Sequence, residues 1–263
     1  MQLDVMGAKV DVTLEGENGR GVLFLHGWGC SAQMMESMQK TLSKKMRTAA
    51  IDFPGHGKMG KAQEPPKPWG VPEYMEMTAE IIRRLDLAPC DIVAHSFGGR
   101  VAILLASTYP ELVGRMVLTG AAGVKKPASG KKTAKQQVYK TLRGAMNLME
   151  KTHLFGSMPE KGREALIQKF GSPDYRALTP EMRKTFNQVI SLDLTDRLPL
   201  VKASTLLFWG ENDTETPLWM GKKMEELMPD AALVCESGTG HFAYLERAEK
   251  FNRILLSFLT EGR

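Results

Sequence analysis

Short apolar runs closed by glycine or proline alternate along this chain with longer stretches in which apolar positions recur every three or four residues. The first pattern is that of strands buried in a sheet and the second that of helices packed on it, so the alternation predicts a mostly parallel sheet flanked by helices. Residues 9–15 alternate polar and apolar side chains and are expected to pair in a hairpin with 3–6, forming an exposed antiparallel edge. The runs 21–26, 48–52, 91–95, 116–119, 205–209 and 233–236 are expected as inner strands, because a strand covered on both faces needs apolar residues at successive positions. Helices are expected over 32–44, 72–86, 98–109, 218–228 and 248–259.

The alternation is interrupted once. Residues 123–201 contain no strand pattern, only Lys-rich and Met-rich helical segments broken by Gly156, Pro159, Gly171, Pro173 and Pro180. Loops of that length are rare inside a compact domain. The expectation is a core of residues 1–122 and 202–263 carrying an inserted helical cap at 123–201, with a small separate domain as the alternative. Residues 64–72 hold successive prolines that remove backbone donors, and they form a loop that either shapes a pocket or simply connects.

Composition narrows the class without naming a function. An apolar share of 43% and a charged share of 25% over 263 residues describe an ordinary globular chain. Part of the net charge of +5 is concentrated from Lys125 to Arg143, where seven Lys or Arg occur without an acidic residue. That run reads as a solvated helix face, with attraction of anionic substrates as the minority reading. No aromatic residues interleave it in the way nucleic-acid binding requires, so no nucleic-acid partner is expected. The three cysteines, Cys30, Cys90 and Cys235, cannot all pair and show no metal-binding spacing. No leader-like segment opens the chain and no apolar stretch approaches a membrane span of about 20 residues, so a cytoplasmic protein with no membrane partner is expected.

The chemistry is concentrated at three turns. The strand at 91–95 runs into Ser96-Phe97-Gly98-Gly99 and then directly into an apolar helix, which places a serine at a sharp strand-to-helix turn. Such a turn needs small residues two before and two after the serine. Here they are Ala94 and Gly98, a departure from G-x-S-x-G by one methyl group. The strand at 205–209 is followed by Gly210-Glu211-Asn212-Asp213, placing Asp213 at the carboxyl end of a parallel strand, where sites of open α/β sheets gather. Glu211 and Glu215 are rival carboxylates on the same loop. The last strand leads to Gly240-His241 on a glycine-rich loop. The other histidines have plainer readings: His26 and His56 lie beside glycines in tight turns, His95 flanks the serine, and His153 lies in the cap.

A serine hydroxyl is a weak nucleophile at neutral pH, so an imidazole must take its proton, and a buried carboxylate must orient that imidazole. Ser96, His241 and Asp213 are the candidates for these catalytic roles. Two backbone N–H groups are needed for the oxyanion, and Phe97, after the serine, and Trp28, in His26-Gly27-Trp28-Gly29, are the candidates. Trp28, His95, Met146 and Met149 are candidate pocket residues, with ordinary core packing as the plainer reading of the tryptophan and the methionines.

Five segments in order, His26-Gly27-Trp28-Gly29, Asp52 to Gly57, Ala94 to Gly99, Gly210 to Asp213 and Gly240-His241, resemble the α/β-hydrolase superfamily over essentially the whole chain. The His-Gly-Trp-Gly form resembles its serine-nucleophile, carboxylesterase-like branch. The resemblance implies an eight-stranded sheet, a cap over the site, and no metal or organic cofactor. It also implies a structural role for the turn at 52–57. A serine rather than an aspartate at the elbow argues against epoxide hydrolase and dehalogenase chemistry.

The expectation is a serine hydrolase that cleaves small to medium carboxylic esters through an acyl-enzyme, with a small-molecule ester as its partner. The enzymatic alternative is a carbon–carbon hydrolase or a menaquinone-biosynthesis-type lyase of the same fold, which pocket arginines would favour. Arg100, just after the elbow, is the one nearest in sequence. A ligand receptor with vestigial hydrolysis is the alternative from another class.

Overall fold

A computed structural model of the chain describes residues 1–57, 60–125, 158–170 and 173–261. Its centre is a sheet of eight strands: β1 (Gln2–Val5), β2 (Ala8–Glu15), β3 (Gly21–Leu25), β4 (Arg47–Asp52), β5 (Cys90–His95), β6 (Val113–Thr119), β7 (Thr205–Gly210) and β8 (Ala231–Glu236). The strand order is β1-β2-β4-β3-β5-β6-β7-β8. β1 pairs antiparallel with β2, and β2 with β4, while every later pairing is parallel. The expected hairpin therefore forms one edge. β8 forms the other, so it is not an inner strand, and all of its residues but Glu236 are partly buried or exposed. Every residue of β3, β5 and β7 is buried, as the apolar runs through their centres require, and Asp91, His95 and Thr205 are buried with them at the strand ends.

Because side chains alternate across a strand, the sheet has two apolar faces. Leu23, Leu25, Ile92, Leu118 and Leu207 pack on the face that meets α2 (Val71–Arg84) and α3 (Phe97–Thr108). Val22, Phe24, Val93, Val117 and Phe208 face α1 (Glu36–Leu42) on the other side, with Phe251, Leu255 and Leu259 from the C-terminal helix, Ala248–Thr260. Burying one such side chain contributes about 2 kcal/mol, and together they hold the carboxyl ends of the parallel strands in fixed relation.

The chain divides into two compact units, Met1–Lys125 with Lys184–Arg263, and Lys126–Arg183. In the second lie α4 (Met158–Phe170), α5 (Pro173–Ala177) and the first residues of α6 (Pro180–Ser191). There Arg183 pairs with Glu164 at 2.6 Å and also donates to the carbonyls of Tyr175 and Arg176. The sequence placed the insertion at 123–201, whereas residues 184–201 group with the larger unit. Within that unit the Trp69 N–H donates to Thr185 Oγ1 at 3.1 Å, Arg100 Nη1 donates to the Leu192 carbonyl at 2.7 Å, and Leu194 and Leu198 are buried in the core. The same bond anchors the proline-rich segment through its buried tryptophan. The larger unit closes with α7 (Leu218–Leu227), the short α8 (Ala243–Glu246) and α9 (Ala248–Thr260). Met146, Met149, His153 and nearly all of the basic run lie outside the described residues.

Candidate active site

β5 delivers its chain to Ser96, and α3 begins at the next residue. Ser96 has φ +50°, a conformation disfavoured for a residue with a side chain and retained where the surroundings enforce it. Its N–H donates to the Thr119 carbonyl at 3.1 Å, and the Gly98 N–H donates to the His26 carbonyl at 3.1 Å. A Cβ on Gly98 would lie 2.3 Å from the Leu25 carbonyl oxygen, which is why that position must be glycine. Ala94, where the sequence departs from the glycine pattern, pairs normally with Leu25 of β3 and Leu118 of β6, so its methyl group is accommodated.

Asp213 leaves β7 in a tight turn that satisfies all of its carboxylate. Oδ1 accepts the N–H groups of Glu215 and Thr216, each at 2.9 Å. Oδ2 lies 2.8 Å from the Thr216 hydroxyl and 2.8 Å from His241 Nδ1. Burial pushes the Asp213 carboxyl upward, but the His241 contact and the Thr216 donors together outweigh it and hold the group below its ordinary value. His241 Nε2 stands 3.0 Å from Ser96 Oγ. With Nδ1–H donating to Asp213, Nε2 carries the lone pair that faces the serine hydroxyl. Of the rival carboxylates, Glu211 accepts the Gly238 N–H at 3.1 Å and Glu215 is exposed.

The segment after β6 ties these turns together through its backbone. Besides accepting from Ser96 at Thr119, it donates from Ala122 N–H to the Ser96 carbonyl at 3.0 Å and from Gly120 N–H to the Phe208 carbonyl at 3.1 Å. The Gly120 carbonyl lies 2.9 Å from the Thr216 hydroxyl. Gly120 has φ +48°, and a Cβ there would stand 3.1 Å from His241 Nδ1 and 3.2 Å from Asp213 Oδ2. Thr216 and Gly120 were missed by sequence reasoning that weighed titratable groups. The signal available was a hydroxyl three residues after the acid and a glycine at the end of a strand.

The loop after β3 approaches the elbow closely, since a Cβ on Gly27 would lie 3.3 Å from Ser96 Cβ. Trp28 is half-buried, its indole edge-on to His56 at 4.5 Å, Phe186 at 5.1 Å and Phe97 at 5.5 Å between ring centroids. Its side chain is thus part of an aromatic cluster beside the elbow rather than a lone wall. The expectation that His95 lines a pocket needs correction, because its side chain is fully buried. It lies two residues after Val93 on the same face of β5, so it points toward α8 and α9, and its ring meets that of Tyr244 at a tilt, 4.9 Å between centroids. Its Nδ1 donates to the Thr119 carbonyl at 2.9 Å, and burial first, then proximity to His241, lowers its pKa to about 3. Arg100 is buried and spends its Nη1 on the Leu192 carbonyl, and burial lowers its pKa to about 10. Among the described residues no group of His, Cys, Asp or Glu is arranged to hold a metal, and no helix is long and apolar enough to cross a membrane.

This geometry agrees with the comparisons to known proteins. The sequence pattern of the Alpha/beta hydrolase family matches residues 22–254. The chain is 26% identical to a 2-hydroxy-6-oxononadienedioate/2-hydroxy-6-oxononatrienedioate hydrolase of a Pseudomonas species, covering 97% of this chain and 93% of the relative. It is 29% identical to a 2-hydroxy-6-oxo-6-phenylhexa-2,4-dienoate hydrolase of Burkholderia cepacia, covering 93% and 89%. An alpha/beta hydrolase enzyme from a Medee basin deep-sea metagenome library has the same fold, with a TM-score of 0.75 at 20% identity over 100% of this chain and 98% of the other. The family's pattern spans both halves of the sheet and all three turns that carry Ser96, Asp213 and His241, and the chain belongs to the alpha/beta hydrolase family.

Proposed function

We propose that this hydrolase cleaves a carbon–carbon bond beside a ketone in 2-hydroxy-6-oxo-dienoate acids, using Ser96 as nucleophile, His241 as general base and Asp213 to orient the histidine. The observation that carries the reading is the unbroken chain from Ser96 Oγ to His241 Nε2 at 3.0 Å and from His241 Nδ1 to Asp213 Oδ2 at 2.8 Å. The choice of bond is supported by the names of the relatives, which are hydrolases of this substrate class. It replaces the ester expected from the His-Gly-Trp-Gly form as the leading reading.

With the substrate in its 2-oxo form, Ser96 Oγ adds to the ketone carbon while His241 Nε2 takes the hydroxyl proton. The oxyanion sits against the N–H groups of Phe97 and Trp28. Collapse breaks the bond to the adjacent carbon, whose electron pair is delocalised through the neighbouring double bond onto the 2-oxo oxygen, and the histidine returns its proton to the leaving dienolate. Water activated by His241 then frees the acid from the acyl-serine. The balance is one water consumed, one carboxylic acid and one 2-hydroxydienoate released. A carboxylate-bearing leaving group departs without a metal because its conjugation accepts the charge.

The test measures kcat/KM for 2-hydroxy-6-oxo-6-phenylhexa-2,4-dienoate, followed by loss of its visible absorbance, against p-nitrophenyl esters of graded chain length. The expected result is a preference for the dienoate of at least about a hundredfold, with Ser96→Ala lowering either activity by at least about 10⁴-fold and abolishing fluorophosphonate labelling. The Trp28 loop favours ester hydrolysis as the second reading, and a preference for the esters would establish it. Labelling that persists in Ser96→Ala would remove Ser96 from the nucleophile's role in both.

A further inference from the structure

We propose that Thr216 is a positioning residue whose hydroxyl changes acceptor during turnover, donating to Asp213 in the resting enzyme and to the Gly120 carbonyl once His241 is protonated. The inference rests on the assignment of Ser96, His241 and Asp213 made above. It starts from a surplus of acceptors. The Thr216 hydroxyl carries one proton, and two oxygens stand within reach of it, Asp213 Oδ2 at 2.8 Å and Gly120 O at 2.9 Å. Its own oxygen lies 3.2 Å from His241 Nδ1. Nδ1, Asp213 Oδ2 and Thr216 Oγ1 thus form a nearly equilateral triangle, in which the Nδ1 proton can be shared by the two oxygens only when the hydroxyl proton points out of it.

Everything else about Thr216 is fixed. Its N–H is spent on Asp213 Oδ1 at 2.9 Å, its carbonyl accepts the Trp209 indole N–H at 2.7 Å, and it precedes Pro217, which restricts its backbone. It is 5% exposed, so water does not compete for the hydroxyl. Rotation about one C–O bond is the remaining freedom, and it connects two states of different charge. While His241 is neutral, the hydroxyl proton neutralises part of the carboxylate and keeps the histidine from being held too strongly as a cation. When Ser96 yields its proton, the imidazolium Nδ1–H becomes the stronger donor. The hydroxyl then turns to Gly120, leaving Asp213 Oδ2 and Thr216 Oγ1 both facing the cation.

Among the described residues, the groups that face His241 from each packed element are few. They are Asp213 and Thr216 from the turn after β7, the neutral His95 at the end of β5 and Ser96 in the turn after it, the backbone of Gly120 after β6, and the Phe242 ring beside it. Of these groups only Asp213 is charged in the resting enzyme, so a displaced acid limb, which follows protonation of the base His241, reports on the Asp213 carboxylate and its donors acting through the histidine.

The experiment compares Thr216→Val, Thr216→Ala and Thr216→Ser with wild type and Ser96→Ala, on whichever substrate class the enzyme turns over faster. Removing the hydroxyl takes a donor from Asp213 in the resting state. In Thr216→Val and Thr216→Ala the acid limb of kcat/KM is expected to move to higher pH by about half a unit, and kcat at the optimum to fall roughly five- to tenfold with KM unchanged. Thr216→Ser, which restores the hydroxyl, should recover the limb and most of kcat. A residue that merely packs would lower kcat without moving the limb and would not depend on the hydroxyl. An acid limb unmoved in both hydroxyl-free variants, or one left displaced by serine, overturns the proposal. Failure of the underlying assignment looks different: Ser96→Ala would then keep its turnover, and the role of Thr216 would fall with it.

Discussion

Two histidine–carboxylate pairs stand at the same end of the sheet, His26 with Asp52 at the ends of β3 and β4, and His241 with Asp213 beyond β8 and β7. In the first, His26 Nδ1–H donates to the Gly27 carbonyl at 2.7 Å and Nε2 accepts the Phe53 N–H at 3.0 Å, so both nitrogens are spent on backbone. Asp52 is 3.9 Å from the ring and instead accepts the Ala32 N–H. Burial, the largest influence, holds the His26 pKa below its ordinary value despite the backbone bond and the nearby carboxylate. In the second pair the nitrogens meet a carboxylate and a hydroxyl, and the ring is partly open. The difference teaches that proximity of histidine to aspartate does not make a base. What matters is whether the second nitrogen is left to a group that can give up a proton.

The sharpest way to break this comparison is to neutralise each acid in turn. Asp213→Asn is expected to lower kcat about 10⁴-fold with the fold intact, by favouring the wrong tautomer of His241. Asp52→Asn should leave kcat within about threefold and show its effect in thermal melting, through a weaker acceptor for Ala32. Equal losses of kcat in the two variants would erase the distinction.

A smaller effect concerns pH and two of the buried histidines, His56 and His95. His56 and His95 have pKa values lowered to about 3, chiefly by burial, against 6.5 for the free side chain. Between these values the unfolded chain binds more protons than the native one, so stability is full above pH 6.5 and is lost as pH falls toward 3. Each histidine contributes up to about 1.4 kcal/mol per pH unit across that window. Asp213, whose pKa is lowered, contributes stability that is lost only as pH falls below the ordinary carboxylate range. Urea denaturation from pH 7 to 4.5 should therefore show a slope that flattens in His56→Gln, and an unchanged slope would contradict the neutral, buried state of that ring.

The smallest expected change tests the choice of acid. Glu211→Gln and Glu215→Gln should keep kcat within about twofold, since neither side chain faces His241. A large loss in Glu215→Gln would transfer the acid's role and blur the contrast between the two pairs.

Much of the fold was legible because the central positions of β3, β5 and β7, where the sheet is covered on both faces, are apolar in succession, with Asp91, His95 and Thr205 buried only at the strand ends. Legibility fails where a physical cue is weak. β8 begins two residues earlier than its apolar run, because Ala231 and Ala232 carry no strand signal yet pair with β7. The helix expected from residue 32 begins instead as a 3-10 turn, with the Ala32 N–H taken by Asp52, and becomes α1 only at Glu36. Ser96, Asp213 and His241, the proposed trio, are singled out by order along the chain, since each follows a strand of the parallel set, and the structure places them in contact. His95 was misread because adjacency in sequence to Ser96 says nothing about face, and β5 turns the two in opposite directions. Thr216 was invisible for another reason: its importance lies in a hydroxyl proton with two destinations, which only the spatial meeting of three loops creates.

The segment running from Thr119 to Ala122 has a consequence for anyone scanning this protein by substitution. It joins the serine's turn, the aspartate's turn and the histidine's neighbour with peptide groups alone, and peptide groups survive every side-chain replacement. A mutational map would report there on side chains instead, on the buried Thr119 and Ala121 and on Gly120, where even one added carbon intrudes between the histidine and its acid. Such a map would score the packing of those side chains, and the peptide groups that join the three turns would stay beyond its reach.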